Sequence, residues 1–176
     1  MDDERDEQLE RRVRDALDGL CAHYEMIECD PSLADTAAFC AQYGYSLDES
    51  ANCIVVVGKG AQRSYAACLA LADTRLDVNG LIRKRLGVKK TSFATAEETV
   101  TATAGMRIGG VTPFGLPSGL PIWIDSRVTE RTHVIVGGGS RRCKVYVAAG
   151  AFSTLPHAEI ITDLARPVPA AGEEGQ

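Results

Sequence analysis

A continuous apolar run rich in β-branched residues, residues 53–57, constrains the fold more than any other feature of the chain. The run is followed by Gly58 and Gly60, and such a segment is typical of a strand that is buried on both faces and lies inside a sheet. Residues 64–72 return after a short connection that contains glycine, which predicts the second strand of a hairpin. The core is therefore expected to form around this pair of strands.

The other elements are predicted from periodicity and from capping residues. The expected capping residues are Ser32, Asp35 and Asn79, and the expected helix ends are Gly44 and Gly87. Helices are expected up to about residue 20 and over residues 32–43, 79–86 and 96–104. Further strands are expected over residues 24–29, 121–125, 133–136 and 143–147. Helices and strands do not alternate strictly, which predicts an α+β fold with a mixed, largely antiparallel, barrel-like sheet flanked by helices.

Length and composition indicate one domain in an intracellular setting. With 176 residues, 45% of them hydrophobic, the chain can bury one sizeable core, expected over residues 1–165, and residues 166–176 are expected to be a disordered tail. No apolar run approaches the ~20 residues of a membrane span, and the N-terminus is charged from its second residue. Six cysteines without a C-x-x-C pair and three scattered histidines indicate reduced thiols, a cytoplasmic location and no metal site.

The net charge of −5 disfavours indiscriminate binding to nucleic acid, but positive charge is concentrated in two segments. Residues 83–90 carry five positive charges and no negative one, and Arg141, Arg142 and Lys144 form a second group. If the two segments converge in the fold, they form a phosphate-binding face. The alternative is that they are simply solvated surfaces.

The segment 105–115 contains four glycines and a proline and is too apolar for an ordinary solvated loop. Such a loop can turn several backbone N–H groups towards one point, as a tetrahedral oxyanion requires. The alternative is a tight connection in which glycine is needed only for steric reasons. The chain contains no phosphate-binding G-x-x-x-x-G-K-[ST], no complete dinucleotide fingerprint and no G-x-S-x-G.

Four short motifs follow one another along the chain: K-K-T-S-F-A-T-A-E-E from residue 89, T-A-G from residue 103, G-G-V-T-P-F-G from residue 109, and I-D at residues 124–125. Their order and spacing resemble the YbaK/ProX family of aminoacyl-tRNA editing domains, which also occur as insertions in bacterial prolyl-tRNA synthetases. The resemblance extends over roughly residues 20–165 and is more specific than any one motif.

The resemblance implies a mixed β-barrel core, no cofactor, and hydrolysis of the ester that joins a wrong amino acid to the acceptor end of a tRNA, with an aminoacyl-tRNA synthetase as a further partner. The family's G-x-x-x-P loop corresponds to residues 109–113, whose backbone would hold the substrate carbonyl group. The implied catalytic residues are Gly109, Gly110, Val111, Thr112, Pro113 and Asp125. The implied substrate-binding residues are Asn52, Phe93, Gly138, Gly139 and Ser140, and the expected tRNA-binding residues are Arg83, Lys84, Lys89, Lys90 and Arg141.

The chain departs from the family pattern at the start of its central strand. Family enzymes typically carry a lysine there, in a segment resembling A-K-T-L-V, whereas this chain has A-N-C-I-V with Asn52 at the lysine position. An amide can donate a hydrogen bond but carries no charge. The chain is therefore either a deacylase with different substrate handling or a non-catalytic module that binds tRNA ends or a small acylated ligand. A protein-binding domain that docks through its charged first helix is a third alternative.

Overall fold

The computed structural model describes residues 1–169. The strands are β1 (Tyr24–Glu28), β2 (Ala51–Lys59), β3 (Arg63–Leu71), β4 (Thr74–Leu76), β5 (Lys90–Phe93), β6 (Ile122–Asp125), β7 (His133–Gly137), β8 (Cys143–Ala148), β9 (Ala158–Ile161) and β10 (Ala165–Pro167). The α-helices are α1 (Asp2–Gly19), α2 (Thr36–Tyr43), α3 (Arg83–Leu86), α4 (Ala96–Ala102), α5 (Ser126–Thr129) and α6 (Gly150–Thr154). A π-helical turn, Val78–Ile82, precedes α3, and two 3-10 turns, Pro31–Leu33 and Leu47–Glu49, flank α2.

The larger sheet has five strands in the order β5-β2-β3-β6-β9. Strands β2 and β3 form the predicted hairpin, antiparallel from Ala51 opposite Leu71 to Lys59 opposite Arg63. Strand β2 lies between β3 and β5, which confirms that the apolar run is an interior strand. The sheet is mixed because β6 runs parallel to both β3 and β9.

A second, antiparallel sheet has the order β1-β8-β7, and an isolated bridge between Ser50 and Ile135 joins its edge to the start of β2. The main hydrophobic core lies between the two sheets and is closed by the buried face of α1, which presents Leu9, Val13 and Leu17. The expected α+β class is confirmed, but within residues 1–169 the sheets do not close into a barrel. Among residues 1–169 a single bridge is the only backbone pairing between these two sheets, which is too little to close a barrel.

Two helical segments begin differently from the sequence prediction because aspartates two positions before Ser32 and Asn79 provide the side-chain caps. The Asp30 carboxylate accepts a hydrogen bond from the Ser32 amide, whereas Asp35 begins α2 without a side-chain cap. The Asp77 carboxylate accepts from the amides of residues 80 and 81, so Asp77 caps the segment that Asn79 was expected to cap. Both aspartates place carboxylate oxygens at the point where helical amides lack internal partners.

The C-terminal segment is ordered further than expected. Arg166 and Pro167, which the composition assigns to a disordered tail, lie in β10 and pair with Arg75 and Thr74 of β4. The rest of the expected tail includes residues 170–176, which lie outside the described residues. No helix in the described part of the chain is both long and apolar enough to cross a membrane.

Candidate functional site

A cavity of about 350 Å³ lies where the two sheets meet. Its walls come from segments distant in sequence: the chain before and within α2, Ser50 and the first half of β2, the loop that contains Ile108, Gly109 and Val111, and the end of β7. Phe93 and Ile108 stand at its mouth with 54% and 53% of their surfaces exposed. A concave apolar site with a few polar groups is the usual form of a small-ligand site.

The loop 107–111 forms one wall of the cavity through a tight turn. The Gly110 amide donates to the Arg107 carbonyl oxygen over 2.9 Å, and Gly109 occupies the third position of this turn with φ +93°. A positive φ at that position is characteristic of a type II turn and favours glycine. Gly109 and Val111 line the cavity, whereas the Gly110 N–H is committed to the turn. Any amide offered to a ligand must therefore come from a neighbour of Gly110.

The glycine-rich segment 137–139 packs against this loop, which explains its composition. The Gly139 amide donates to the Gly110 carbonyl oxygen over 2.8 Å, and a Cβ at Gly137 would overlap the Val111 carbonyl oxygen. Gly137 lines the cavity, but the expected binding residues Gly138 and Gly139 do not. A Cβ at Gly138 would overlap Cys143 and one at Gly139 would overlap α1, so both positions are limited by packing behind the loop.

Three further predicted residues lie behind the loop. Thr112 and Pro113 are buried and lead to Phe114, whose ring stacks on Phe152 at 5.5 Å between centroids. Ser140 is also buried, and its hydroxyl donates to the Glu10 carboxylate of α1 over 2.5 Å. None of the three lines the cavity. Through these contacts the three residues anchor the loop 107–111 to the core and to α1.

Asn52 lies on β2 and lines the cavity, as expected. Thr36, at the start of α2, donates its hydroxyl proton to the Asn52 side-chain oxygen. The Asn52 amide nitrogen has no protein partner among residues 1–169 and is therefore available to a ligand. Phe93 also lines the cavity. These two predicted substrate-binding residues are brought together with Gly109 and Val111.

Lys144 of β8 is a cavity residue that the sequence did not identify. Its side chain is 5% exposed, and its ammonium group donates to the carbonyl oxygens of Ala34, over 2.6 Å, and Gly109, over 2.9 Å. The ammonium nitrogen also lies 5.7 Å from the centre of the Phe39 ring. Burial lowers the pKa of Lys144 because the charged form loses water. In the sequence this lysine belongs to a group with Arg141 and Arg142, and no local signal indicates that it is buried.

The expected tRNA-binding residues do not line the cavity. Arg141 bridges the rim by donating to the carbonyl oxygens of Ile108, over 2.7 Å, and Pro31, over 2.9 Å. Lys84, Lys89 and Lys90 are exposed, and Arg83 is partly buried in α3. Since β5 runs from Lys90 to Phe93, about 10 Å of strand separates this basic surface from the cavity mouth.

Asp125 lies outside the cavity lining, and both of its carboxylate oxygens accept hydrogen bonds from neighbouring chain segments. It accepts hydrogen bonds from the amides of Arg127, over 3.0 Å, and Ala165, over 2.8 Å, and pairs with the Arg127 guanidinium at 3.2 Å. This placement favours a capping and bracing role for Asp125. We therefore leave it out of the proposed catalytic group.

Cys53 also lines the cavity but is poorly suited to act as a nucleophile. It is 9% exposed, and burial raises the pKa of its thiol to about 12. The attacking species of a cysteine enzyme is the thiolate, which is scarce at neutral pH when the pKa is this high. Cys53 therefore serves as an apolar wall residue.

Comparison with known proteins agrees with the fold and with the motifs. The model of a family described as the aminoacyl-tRNA editing domain matches residues 30–154. The structure is similar to the crystal structure of a hypothetical protein, with a TM-score of 0.76 and 21% identity over 88% of this chain and 99% of that one. It is also similar to that of a "putative trans-editing enzyme for prolyl tRNA synthetase", with a TM-score of 0.71 and 24% identity over 87% and 94% of the two chains.

The family match covers well over half of the chain and includes every segment that lines the cavity. The cavity thus lies in the part of the chain that defines the family. The chain belongs to the aminoacyl-tRNA editing domain family.

Proposed function

We propose that this protein is an aminoacyl-tRNA deacylase that acts in trans in the cytoplasm and hydrolyses the ester of a mischarged tRNA. Membership of the editing family supports a deacylase role in general. The observation that carries the specific proposal is the grouping of the turn at Gly109, the free amide of Asn52 and the exposed ring of Phe93 around one cavity. Similarity to the structure whose name refers to prolyl-tRNA synthetase makes tRNA-Pro the first substrate to test.

In this proposal the aminoacyl group enters the cavity and the terminal adenosine remains at its mouth. The Phe93 ring offers a stacking face for the adenine base, because exposed aromatic side chains bind unpaired bases in this way. The Asn52 amide nitrogen donates to a ribose or phosphate oxygen. The amides of Gly109 and Val111, which have no backbone partner among residues 1–169, face the ester carbonyl group.

The reaction needs no protein nucleophile. The oxygen of a water molecule attacks the ester carbonyl carbon, and the carbonyl electron pair moves to oxygen to give a tetrahedral oxyanion. When this pair returns, the bond to the ribose oxygen breaks and a proton from the water ends on the ribose hydroxyl group. The products are the free amino acid and the uncharged tRNA. The raised pKa of the Cys53 thiol is consistent with water as the nucleophile.

The experiment that tests the proposal is deacylation of a panel of mischarged tRNAs, including alanine, cysteine and serine esters on tRNA-Pro, by the purified protein. Release of one amino acid well above the spontaneous rate supports the proposal and identifies the substrate. The absence of turnover across the panel contradicts it.

The alternative is a non-catalytic module that binds tRNA ends or a small acylated ligand. The observation that favours it is Asn52, which replaces the lysine of the family pattern with a neutral amide. The same panel with the Asn52→Lys variant separates the two functions. Turnover that appears only in the variant supports the binding module, and turnover by the unmodified protein supports the deacylase.

A further inference from the structure

The cavity contains a buried positive charge for which the function proposed above has no role. Among the described residues that line the cavity, only Asp35 and Lys144 carry charge. The Asp35 side chain is 73% exposed and faces Arg141 at 3.7 Å, whereas Lys144 is almost completely buried. The positive charge of Lys144 therefore dominates the interior of the cavity.

The charge of Lys144 has no neutralising partner. In the part of the chain that the structure describes, no carboxylate lies within ion-pair distance of its ammonium nitrogen, and its hydrogen-bond partners are two neutral carbonyl oxygens. The other titratable groups near it are the thiols of Cys29 and Cys143, the guanidinium of Arg141 and, at longer range, the exposed carboxylate of Asp35. Holding an unpaired charge out of water is unfavourable, so such a group within a cavity marks a functional site.

The ammonium group of Lys144 has one hydrogen-bond donor left for a ligand. A lysine ammonium group has three N–H bonds, and the Ala34 and Gly109 carbonyl oxygens accept two of them. Because Lys144 lines the cavity, the third can reach a group bound there. The hydrogen bond to Gly109 also fixes the charge beside the turn that borders the cavity.

We propose that Lys144 is a catalytic residue whose ammonium group binds the carbonyl oxygen of the ester and stabilises the oxyanion formed when water attacks. The positive charge missing at Asn52 on β2 is thereby supplied from β8. Lys144 keeps its protons throughout and contributes charge and one hydrogen bond, while water provides the attacking oxygen and the proton received by the ribose. This inference rests on the proposed deacylase function and adds to it a residue outside the family's motif positions quoted above.

The test compares two substitutions of the full chain. Lys144→Gln keeps a hydrogen-bond donor but removes the charge, and Lys144→Arg keeps the charge. Lys59→Met, which removes an exposed lysine outside the cavity, is the matched control. Each protein is assayed on the esterified tRNA selected by the panel. Calorimetry then measures binding of two analogues of alanyl-adenosine. One has an uncharged 3′-amide in place of the ester, and the other has an anionic tetrahedral phosphonate there.

We expect Lys144→Gln to lower kcat by about 10²–10³-fold, as removal of one oxyanion donor does. It should also abolish the preference for the phosphonate over the amide, whereas Lys144→Arg and Lys59→Met should retain that preference. If Lys144→Gln turns over and binds as the unmodified protein does, the inference is overturned and the deacylase proposal stands. If both Lys144 variants lose affinity for both analogues equally, Lys144 only braces the loop and the inference again fails. No turnover and no binding by the unmodified protein overturns both proposals.

Discussion

The ammonium nitrogen of Lys144 lies 2.9 Å from the carbonyl oxygen of Gly109 and so joins β8 of the smaller sheet to the turn that borders the cavity. Hydrogen bonds to charged groups are stronger than those between neutral groups. The same ammonium donates to Ala34, just before α2, so one side chain ties together three segments of the cavity wall. The position of the Gly109 turn therefore depends on a residue 35 positions away.

A second lysine in this cavity is expected to destabilise the folded protein unless Lys144 is removed. Asn52→Lys places a second positive charge in the cavity that is lined by the nearly buried Lys144, and like charges repel more strongly away from bulk water. We expect the single variant to lower the free energy of unfolding by roughly 1–3 kcal/mol and to reduce turnover. The double variant Asn52→Lys, Lys144→Asn should recover the stability but not the turnover, because it lacks the ammonium group proposed to bind the ester carbonyl oxygen. Denaturant unfolding and deacylation of all four proteins provide the measurement, and equal losses of stability in the single and double variants would contradict the charge argument.

Gly109→Ala is expected to disrupt the candidate oxyanion loop. The residue has φ +93°, which is unfavourable for alanine, and the new Cβ would overlap the Arg141 guanidinium. We expect kcat to fall at least about 10-fold while the protein stays folded by circular dichroism. Gly119→Ala is the matched control, because its φ is not positive and nothing lies within 4 Å of the new Cβ. A folded Gly109→Ala variant with unchanged kcat would remove this loop from the mechanism.

Phe93→Ala is expected to weaken binding of the terminal adenosine. The ring is 54% exposed at the cavity mouth, and loss of one stacked base contact typically costs about 1–3 kcal/mol. Affinity for the alanyl-adenosine amide should therefore fall roughly 5- to 150-fold, with little change in stability. Leu47→Ala serves as the control, since Leu47 is 44% exposed and lies outside the cavity lining. Equal affinities of the two variants would show that Phe93 does not contact the base.

Asp125→Asn tests whether this aspartate is structural. The carboxylate is buried and holds the amides of Arg127 and Ala165 together with the Arg127 guanidinium. Its neutralisation should lower the free energy of unfolding by about 1–3 kcal/mol and leave kcat of the folded protein unchanged. The control is Asp163→Asn, which removes an exposed partner of the same arginine. A large loss of kcat at normal stability would return Asp125 to the catalytic group.

The predictable parts of this structure are those with strong local signals. The β2/β3 hairpin, the start of α4 at Ala96, and the helix end at Gly44 follow from residues close in sequence. The lack of barrel closure could not be predicted, because it depends on how two separate sheets meet.

The residues of the candidate site also divide into those that local motifs predict and those that only the packing reveals. Asn52, Phe93, Gly109 and Val111 were reached through short motifs, and all of them line the cavity. Lys144 was missed because a lysine that closely follows Arg141 and Arg142 resembles surface charge. Its burial results from packing against Phe39 of α2 and the distant Gly109 turn. Gly138 and Gly139 have glycine for a reason that only the packed structure reveals, because a Cβ there would overlap Cys143 and α1 respectively.

The titration of Lys144 predicts opposite effects of alkaline pH on activity and stability. Because burial lowers the pKa of Lys144 in the folded protein, the unfolded chain holds the proton more tightly between the two pKa values. Raising the pH through that interval therefore increases the contribution of Lys144 to the free energy of unfolding. Over the same interval the ammonium group becomes neutral, so affinity for the anionic phosphonate should fall. Urea unfolding and phosphonate binding, measured from pH 7 upwards, should show both trends in the difference between the unmodified protein and Lys144→Gln. A difference that does not vary with pH in either measurement would show that Lys144 does not carry a titrating charge in the cavity.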